Sequence, residues 1–339
     1  MIDVASFLTT LGTYIGIYLI LSLTLTLETS SGITNFGKTA FYGLGAYVGA
    51  VIGTYLPLAI YGGGFSPFDV NGIQILLNMG RNNPMMDLGV FALSIIVGFA
   101  AVAALGLALT YPIHRVGSAL VGFTLLSLGE ILRLIYLNTS ALGESKGFMG
   151  IPSPFAWVKD PKLAGLLYLL VVLAFAGITL LTVSRILNSP LGRILRGIRD
   201  DELVALYAGW PTVLIKARIL ALSSGLTGVA GVLWAYYFTS INPNMFTPSL
   251  TFNIWAMIII GGLGSIAGGI VGTVLLASVD YAMRFIVPYI GVAFITPDYL
   301  RWIVVGLLMI IVLIKKPEGL IPEKSTGLKL GEGGGGDSK

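Results

Sequence analysis

The sequence has no cysteine, a single histidine (His114) and few charged residues, at 11% of its 339 positions. The absence of cysteine excludes disulfides, thiolate catalysis and metal sites built on thiolates. One histidine excludes a clustered imidazole site. Soluble domains carry about 25% charged residues, whereas here hydrophobic residues reach 55% and the mean hydropathy is +0.90. The composition therefore predicts an integral membrane protein with several spans.

Long apolar runs mark the spans directly, since each approaches the roughly 20 residues that a helix needs to cross hydrocarbon. Five runs contain no charge, and they are 7–27, 40–60, 88–110, 163–184 and 219–240. The run 117–137 contains Glu130 and Arg133, and a last span covers 299–314. The uncharged run 250–279 is interrupted by the sequence GGLGSIAGG, which predicts two short spans or one broken, re-entrant helix.

The expected fold is an all-α polytopic bundle of about eight to ten transmembrane helices, of which nine is the favoured number. With nine crossings and the N-terminus outside, thirteen Lys and Arg residues fall in the cytoplasm and four outside. Positive charge favours the cytoplasmic side, so we expect a multi-pass protein of the inner or plasma membrane with a cytoplasmic C-terminus. Residues 1–323 are predicted to form one transmembrane domain, and the glycine-rich 324–339 a disordered cytoplasmic tail.

Glycines recur at spacings of four within two spans, at Gly45, Gly49 and Gly53 and again at Gly264, Gly268 and Gly272. Such stripes allow close packing of helices in lipid, which is the interpretation we favour. The alternative is an internal repeat.

The segment 185–218, between the fifth and sixth spans, holds six basic and three acidic residues. Ser189 followed by Pro190 predicts a helix start, and Gly209 predicts its end, about five turns later. Apolar and basic residues fall on different faces of this helix: Leu191, Ile194, Leu195 and Ile198 on one, Arg193, Arg196 and Arg199 on another.

Two roles are open for this amphipathic helix. It could rest on the inner leaflet with its arginines at anionic lipid, or dock into a groove of a cytoplasmic partner. The acidic residues 200–202 favour docking, because an anionic surface would repel them.

Five stretches resemble, in order, the inner-membrane permeases of the branched-chain amino acid ABC import family. They are SGITNFGKTAFYGLGAYVGA, GFTLLSLGEILRLIYLNTSALGESKGFMGIP, RDDELVALYAG, IIIGGLGSIAGGIVGTVLL and KKPEGLIP. The last two are the most specific, and the resemblance covers most of the chain. It departs at 61–86, a longer external loop than expected, and at Lys38-Thr39.

The resemblance implies a permease subunit that carries branched-chain amino acids, with urea and short amides as variants within the family. Its implied partners are a second homologous permease, two cytoplasmic ATPase subunits and an extracytoplasmic substrate-binding protein. RDDELVALYAG resembles the loop that engages the ATPase. The expected ATPase-coupling residues are Arg193, Arg196, Arg199, Asp201, Glu202, Ala205 and Gly209.

A phosphate-loop pattern also occurs, as GITNFGKT at 32–39. In nucleotide-binding proteins this loop follows a β-strand and opens a helix, whereas here it joins two predicted membrane spans. No polar segment is long enough to hold a nucleotide-binding domain of about 50 residues or more. We therefore expect any ATPase to be another chain.

Polar residues within the spans are candidates for the translocation path. Glu130 and Arg133 lie three apart and can pair, either as a structural salt bridge, which we favour, or within the path. The other candidates are Asn35, Thr124, Ser127 and Asn253, which neutral helix contacts could equally use. Glu28, and Asp280 with Arg284, are expected near span ends, where contact with water costs little.

The alternative function is an ion-gradient-driven secondary transporter of amino acids. It would need a buried carboxylate, and Glu130, the only acid at mid-span, lies beside an arginine, which makes it a poor proton relay. An enzyme is not expected, because no nucleophile–base or metal constellation can be drawn, and we predict no cofactor or metal.

Overall fold

The computed structural model describes residues 4–61, 64–116, 118–290 and 297–323. These residues form twelve α-helices and one pair of short strands. The helices are α1 (Val4–Ser30), α2 (Lys38–Tyr61), α3 (Val70–Asn82), α4 (Pro84–Arg115), α5 (Ser118–Asn138), α6 (Pro161–Leu187), α7 (Pro190–Asp200), α8 (Glu202–Tyr207), α9 (Thr212–Phe238), α10 (Pro248–Gly261), α11 (Ile266–Ile290) and α12 (Pro297–Lys315). The expected all-α polytopic fold is confirmed.

Seven helices of the described part are long and apolar enough to cross a membrane: α1, α2, α4, α5, α6, α9 and α11. In α12 the apolar stretch Trp302–Lys315 is shorter, and α10 has only 14 residues. Of the nine expected crossings, seven correspond to full-length helices, and the other two fall on the shorter α10 and on the apolar stretch of α12.

Helix α9 lies at the centre of the bundle. In its most apolar stretch 94% of the residues are buried, against 28% in α4, α5 and α6, which lie at the periphery. Glycine allows α2 and α9 to pack closely, because a methyl group at Gly45 of α2 would collide with the carbonyl of Gly228 in α9. This supports helix packing as the role of the first glycine stripe.

The glycine-rich break is confirmed between α10 and α11, where residues 262–265 are non-helical. We call these four residues the glycine break. Gly264 of the second predicted stripe lies in it with a positive φ of 76° and is therefore not helical. Gly272 does pack at a helix interface, since a methyl group there would overlap the carbonyl of Met257 in α10.

Helix α10 begins inside the bundle. Its 14 residues span about 21 Å, less than the roughly 30 Å of a hydrocarbon core. The chain leads into α10 from strand β2 (Ser240–Ile241), which pairs antiparallel with strand β1 (Phe148–Met149). Between β2 and α10, the Phe246 ring lies 5.7 Å from the ring of Tyr42 and 5.9 Å from that of Tyr47, two residues in the body of α2.

Two ends of the bundle can be distinguished by their contacts. At the first, which we call the α7 end, Gly32 of the α1–α2 loop packs on Arg199 of α7, and Gly264 of the glycine break packs on Glu323. At the other, the β end, α3 and the strand pair meet, as the contact between Gly150 and Ile73 shows. Helix α3 lies in the loop 61–86, for which no helix is predicted from the sequence. The predicted tail 324–339 lies outside the described residues.

The close approach of α10 and α11 is tested by Gly272→Ala, with Gly177→Ala as a matched control in α6, where a methyl group meets open space. Overpacking costs about 1–3 kcal/mol, so we expect Gly272→Ala to lower the unfolding temperature in detergent by several degrees. Gly177→Ala should match or exceed the wild type, because alanine favours a helix. Equal unfolding temperatures for Gly272→Ala and the wild type would contradict this packing.

Candidate coupling site and polar face

Helix α7 begins as the sequence predicts. The Ser189 hydroxyl accepts a hydrogen bond from the Leu191 amide at 3.2 Å, and Pro190 occupies the first turn. On the predicted apolar face, Leu195 and Ile198 are buried against the bundle. The apolar side of α7 therefore contacts the protein itself and is not available to lipid.

The predicted single helix of five turns is wrong. Helix α7 ends at Asp200, and Asp201 is extended, with φ −153° and ψ 106°. The Asp201 carboxylate accepts hydrogen bonds from the amides of Leu203 (2.9 Å) and Val204 (3.1 Å) and so caps α8. Aspartate is a preferred cap because it satisfies amides that have no partner in a first helical turn. The segment is thus two short helices with a corner between them.

Helix α8 is fixed at its base and exposed on its outer side. The Glu202 carboxylate accepts a hydrogen bond from the Lys216 ammonium of α9 at 2.6 Å, and Ala205 is buried. Gly209, at φ 88°, lies at the predicted end of the segment. The outer apolar side chains, which we call the α8 surface, are exposed by 50% to 88%, and they are Leu203, Val204, Leu206 and Tyr207.

The three arginines of α7 have different surroundings. Arg193 is exposed, whereas Arg196 and Arg199 each donate to Glu323 at 2.8 Å. Partial burial acts to lower the pKa of Arg199, but the hydrogen bonds and charges of Glu323 and Asp200 outweigh it and raise that pKa above its ordinary value. Two of the three arginines predicted to meet an ATPase are therefore bonded within the chain.

A buried ion pair lies at the α1–α2 loop, beneath α7. The side chains of Glu28 and Lys38 are fully buried, and their oxygen and nitrogen lie 2.7 Å apart. Ser223 of α9 donates to the same carboxylate at 2.6 Å, and Asn35 donates to it at 3.1 Å. Glu28 thus lies near the end of its span, as expected, but it is buried and paired and is not exposed to water. A carboxylate removed from water needs several such partners.

The phosphate-loop pattern at 32–39 lacks the structure that binds phosphate. It follows helix α1, not a strand, and its Lys38 ammonium is bonded to Glu28. This supports the rejection of nucleotide binding by this loop.

Asp280 is a second acid that lies near the end of its apolar stretch, as expected, but is not exposed to water. It is buried in α11 and accepts a hydrogen bond from the Tyr14 hydroxyl at 2.6 Å. The side chain of Arg284 lies outside the described residues.

Two of the six candidate path residues lie inside the bundle. Asn35 is fully buried, and its side chain bonds to Glu28 and to the Gly37 amide. Asn253 is buried in α10, with no hydrogen-bond partner for its Oδ1 among the described residues.

The other four candidates lie on α5. Thr124 and Ser127 are exposed, and we call the side of α5 that carries them the α5 polar face. On its flank Arg133 donates to Glu130 at 2.7 Å, so the predicted pair forms, and both side chains are partly exposed.

The sequence does not predict the roles of Glu323 and Lys216. Glu323 bonds to Arg196 and Arg199 of α7, and Lys216 bonds to Glu202 of α8. The available signal for Glu323 was its position directly after KKPEGLIP, one of the two most specific stretches.

Comparison with known proteins agrees with this architecture. The profile of the family described as "Branched-chain amino acid transport system / permease component" matches residues 7–313. The probable branched-chain amino acid transport permease protein LivM of Methanocaldococcus jannaschii is 31% identical over 325 residues, which are 92% of each chain. The high-affinity branched-chain amino acid transport system permease protein LivM of Escherichia coli is 27% identical over 94% of this chain and 70% of that protein. No solved structure matches significantly.

The matched region extends over nearly all the described helices, including segment 185–218 and the glycine break. The chain therefore belongs to the family of branched-chain amino acid transport system permease components.

Proposed function

We propose that this chain is the permease subunit of an ATP-driven importer in which separate ATPase subunits bind α7 and α8. It forms the translocation path with a second, homologous permease and receives its substrate from an extracytoplasmic binding protein. The substrate class is branched-chain amino acids, which the names of the two relatives give for those proteins. The covalent chemistry, hydrolysis of ATP, belongs to the partner chains.

The main support for this proposal is the α8 surface. Its four apolar side chains are exposed on a helix too short to span a membrane, and exposed apolar patches of this kind mark interaction sites. A lipid surface is a poor occupant, because acidic side chains lie at the start of α8 and anionic lipid would repel them. A protein groove that receives a short helix fits better.

The proposed orientation puts the α7 end in the cytoplasm. Most Lys and Arg residues of the loops belong to this end, including those of segment 185–218, which the positive-inside rule favours. Motion of the ATPases would then act on α7 and α8 and shift the bundle between outward-open and inward-open states.

The α5 polar face is the proposed contact with the second permease and the wall of the path. Helix α5 is peripheral, with only 28% of its most apolar stretch buried, and it exposes two hydroxyl-bearing side chains, of which Thr124 donates to the Leu120 carbonyl of its own helix at 3.0 Å. A path between two subunits would give Thr124 and Ser127 a polar surrounding. The Glu130–Arg133 pair lies beside it and keeps both charges compensated.

Docking is tested by Leu203→Asp and Tyr207→Asp in the α8 surface. A new charge at an apolar interface is costly to bury, so each variant should co-purify with the cognate ATPase at least tenfold less than the wild type. The matched control is Val70→Asp, at an equally exposed apolar residue of the β end, which should co-purify normally. Normal recovery of ATPase with both α8 variants would refute the docking site.

Orientation is tested by labelling with a thiol reagent that cannot cross membranes, because the chain has no cysteine of its own. In intact cells Ser145→Cys, in the exposed turn before β1, should react. Asp200→Cys, exposed at the end of α7, should react only after the membrane is opened. Reaction of Asp200→Cys in intact cells would place α7 outside and exclude an ATPase as its partner.

A further inference from the structure

The C-terminal segment, residues 316–323, closes the open end of α10. The last carbonyls of a helix have no partner within it and need donors from elsewhere. The Leu320 amide donates to the Ile260 carbonyl at 2.9 Å, and the Ile321 amide donates to the Gly261 carbonyl at 2.8 Å. The end of α10 is therefore completed by residues that follow α12.

This contact is made backbone to backbone, and its position is narrowly defined. A methyl group at Gly262 would collide with the Ile321 carbonyl, and one at Gly319 would lie 2.5 Å from the Gly262 Cα. Both glycines also have positive φ, at 126° and 87°, which other residues rarely adopt. The C-terminal segment thus cannot shift without changing the glycine break.

The last described residue of this segment, Glu323, is bonded to α7. One carboxylate oxygen accepts from Arg196 Nε and the other from Arg199 Nη1, both at 2.8 Å. All three side chains are partly buried, with exposed fractions between 21% and 31%. Gly264 lies directly beneath, since a methyl group there would come within 2.5 Å of Glu323 and 3.1 Å of Arg199.

We propose that Glu323 is a positioning residue that transmits movement of α7 to the glycine break. The inference rests on the proposed function, in which ATPases act on α7 and α8. The route has two steps: α7 holds the Glu323 carboxylate through two arginines, and the same segment holds the end of α10 through two backbone hydrogen bonds. Displacement of α7 therefore displaces the point at which α10 ends and α11 begins.

The test uses the complete complex of permeases, ATPases and binding protein in proteoliposomes. Glu323→Gln keeps the size of the side chain and removes its charge, so it weakens two charge-assisted hydrogen bonds. We expect ATP hydrolysis within twofold of the wild type and at least tenfold less amino acid taken up per ATP hydrolysed. The matched control is Glu318→Gln, an exposed residue of the same segment, which should transport as the wild type does.

A second readout separates transmission from simple stability. Leu263 is exposed in the glycine break, and Leu263→Cys in this cysteine-free chain can be labelled specifically. Its labelling rate should change at least threefold on addition of ATP in the complex, and Glu323→Gln should abolish that change. A merely structural role of Glu323 would alter the rate equally with and without ATP.

A second variant, which removes only one of the two bonds to Glu323, is needed if the complex with Glu323→Gln does not assemble. Arg196→Gln leaves the bond between Arg199 and Glu323, and we expect at least a threefold loss of uptake per ATP. Unchanged uptake per ATP in either variant would overturn the inference alone. A wild-type complex without ATP-driven uptake would overturn the proposed function, and this inference with it.

Discussion

The end of α10 depends on hydrogen-bond donors from a part of the chain about sixty residues later in sequence. A helix that stops within a protein leaves carbonyl groups that must be satisfied, and this requirement is strictest where water is scarce. Here the donors are the amides of Leu320 and Ile321. Since that contact defines where the C-terminal segment lies, it also defines where Glu323 meets α7. The contact between the C-terminal segment and α7 therefore depends on this one backbone requirement.

The features that the sequence predicts correctly are those with a local cause. Membrane-spanning helices are recognised because a charge-free run of sufficient length has few alternatives in lipid. The glycine break and the start of α7 at Pro190 were predictable because glycine and proline limit the backbone whatever surrounds them. The pair between Glu130 and Arg133 belongs here too, since both lie within one helical turn.

The features that were missed depend on partners distant in sequence. The burial of Glu28 requires Ser223, 195 positions away, and the bonds of Arg196 require Glu323, 127 positions away. A single sequence does not pair either residue with its partner, although the position of Glu323 directly after KKPEGLIP marks that residue. The corner at Asp201 is an intermediate case: its capping preference is local, but the start signal at Pro190 and the end signal at Gly209 favoured one helix between them.

The segment 242–247 that leads into α10 is not α-helical, and its Phe246 reaches the body of α2. Such backbone is stable in a membrane protein only when other protein encloses it. The Phe246 ring lies 5.7 Å from that of Tyr42 and 5.9 Å from that of Tyr47, and the Phe148 ring lies 6.1 Å from that of Tyr47. These buried aromatics therefore enclose main chain that is not α-helical, so a smaller side chain at Phe246 would leave a cavity beside the start of α10.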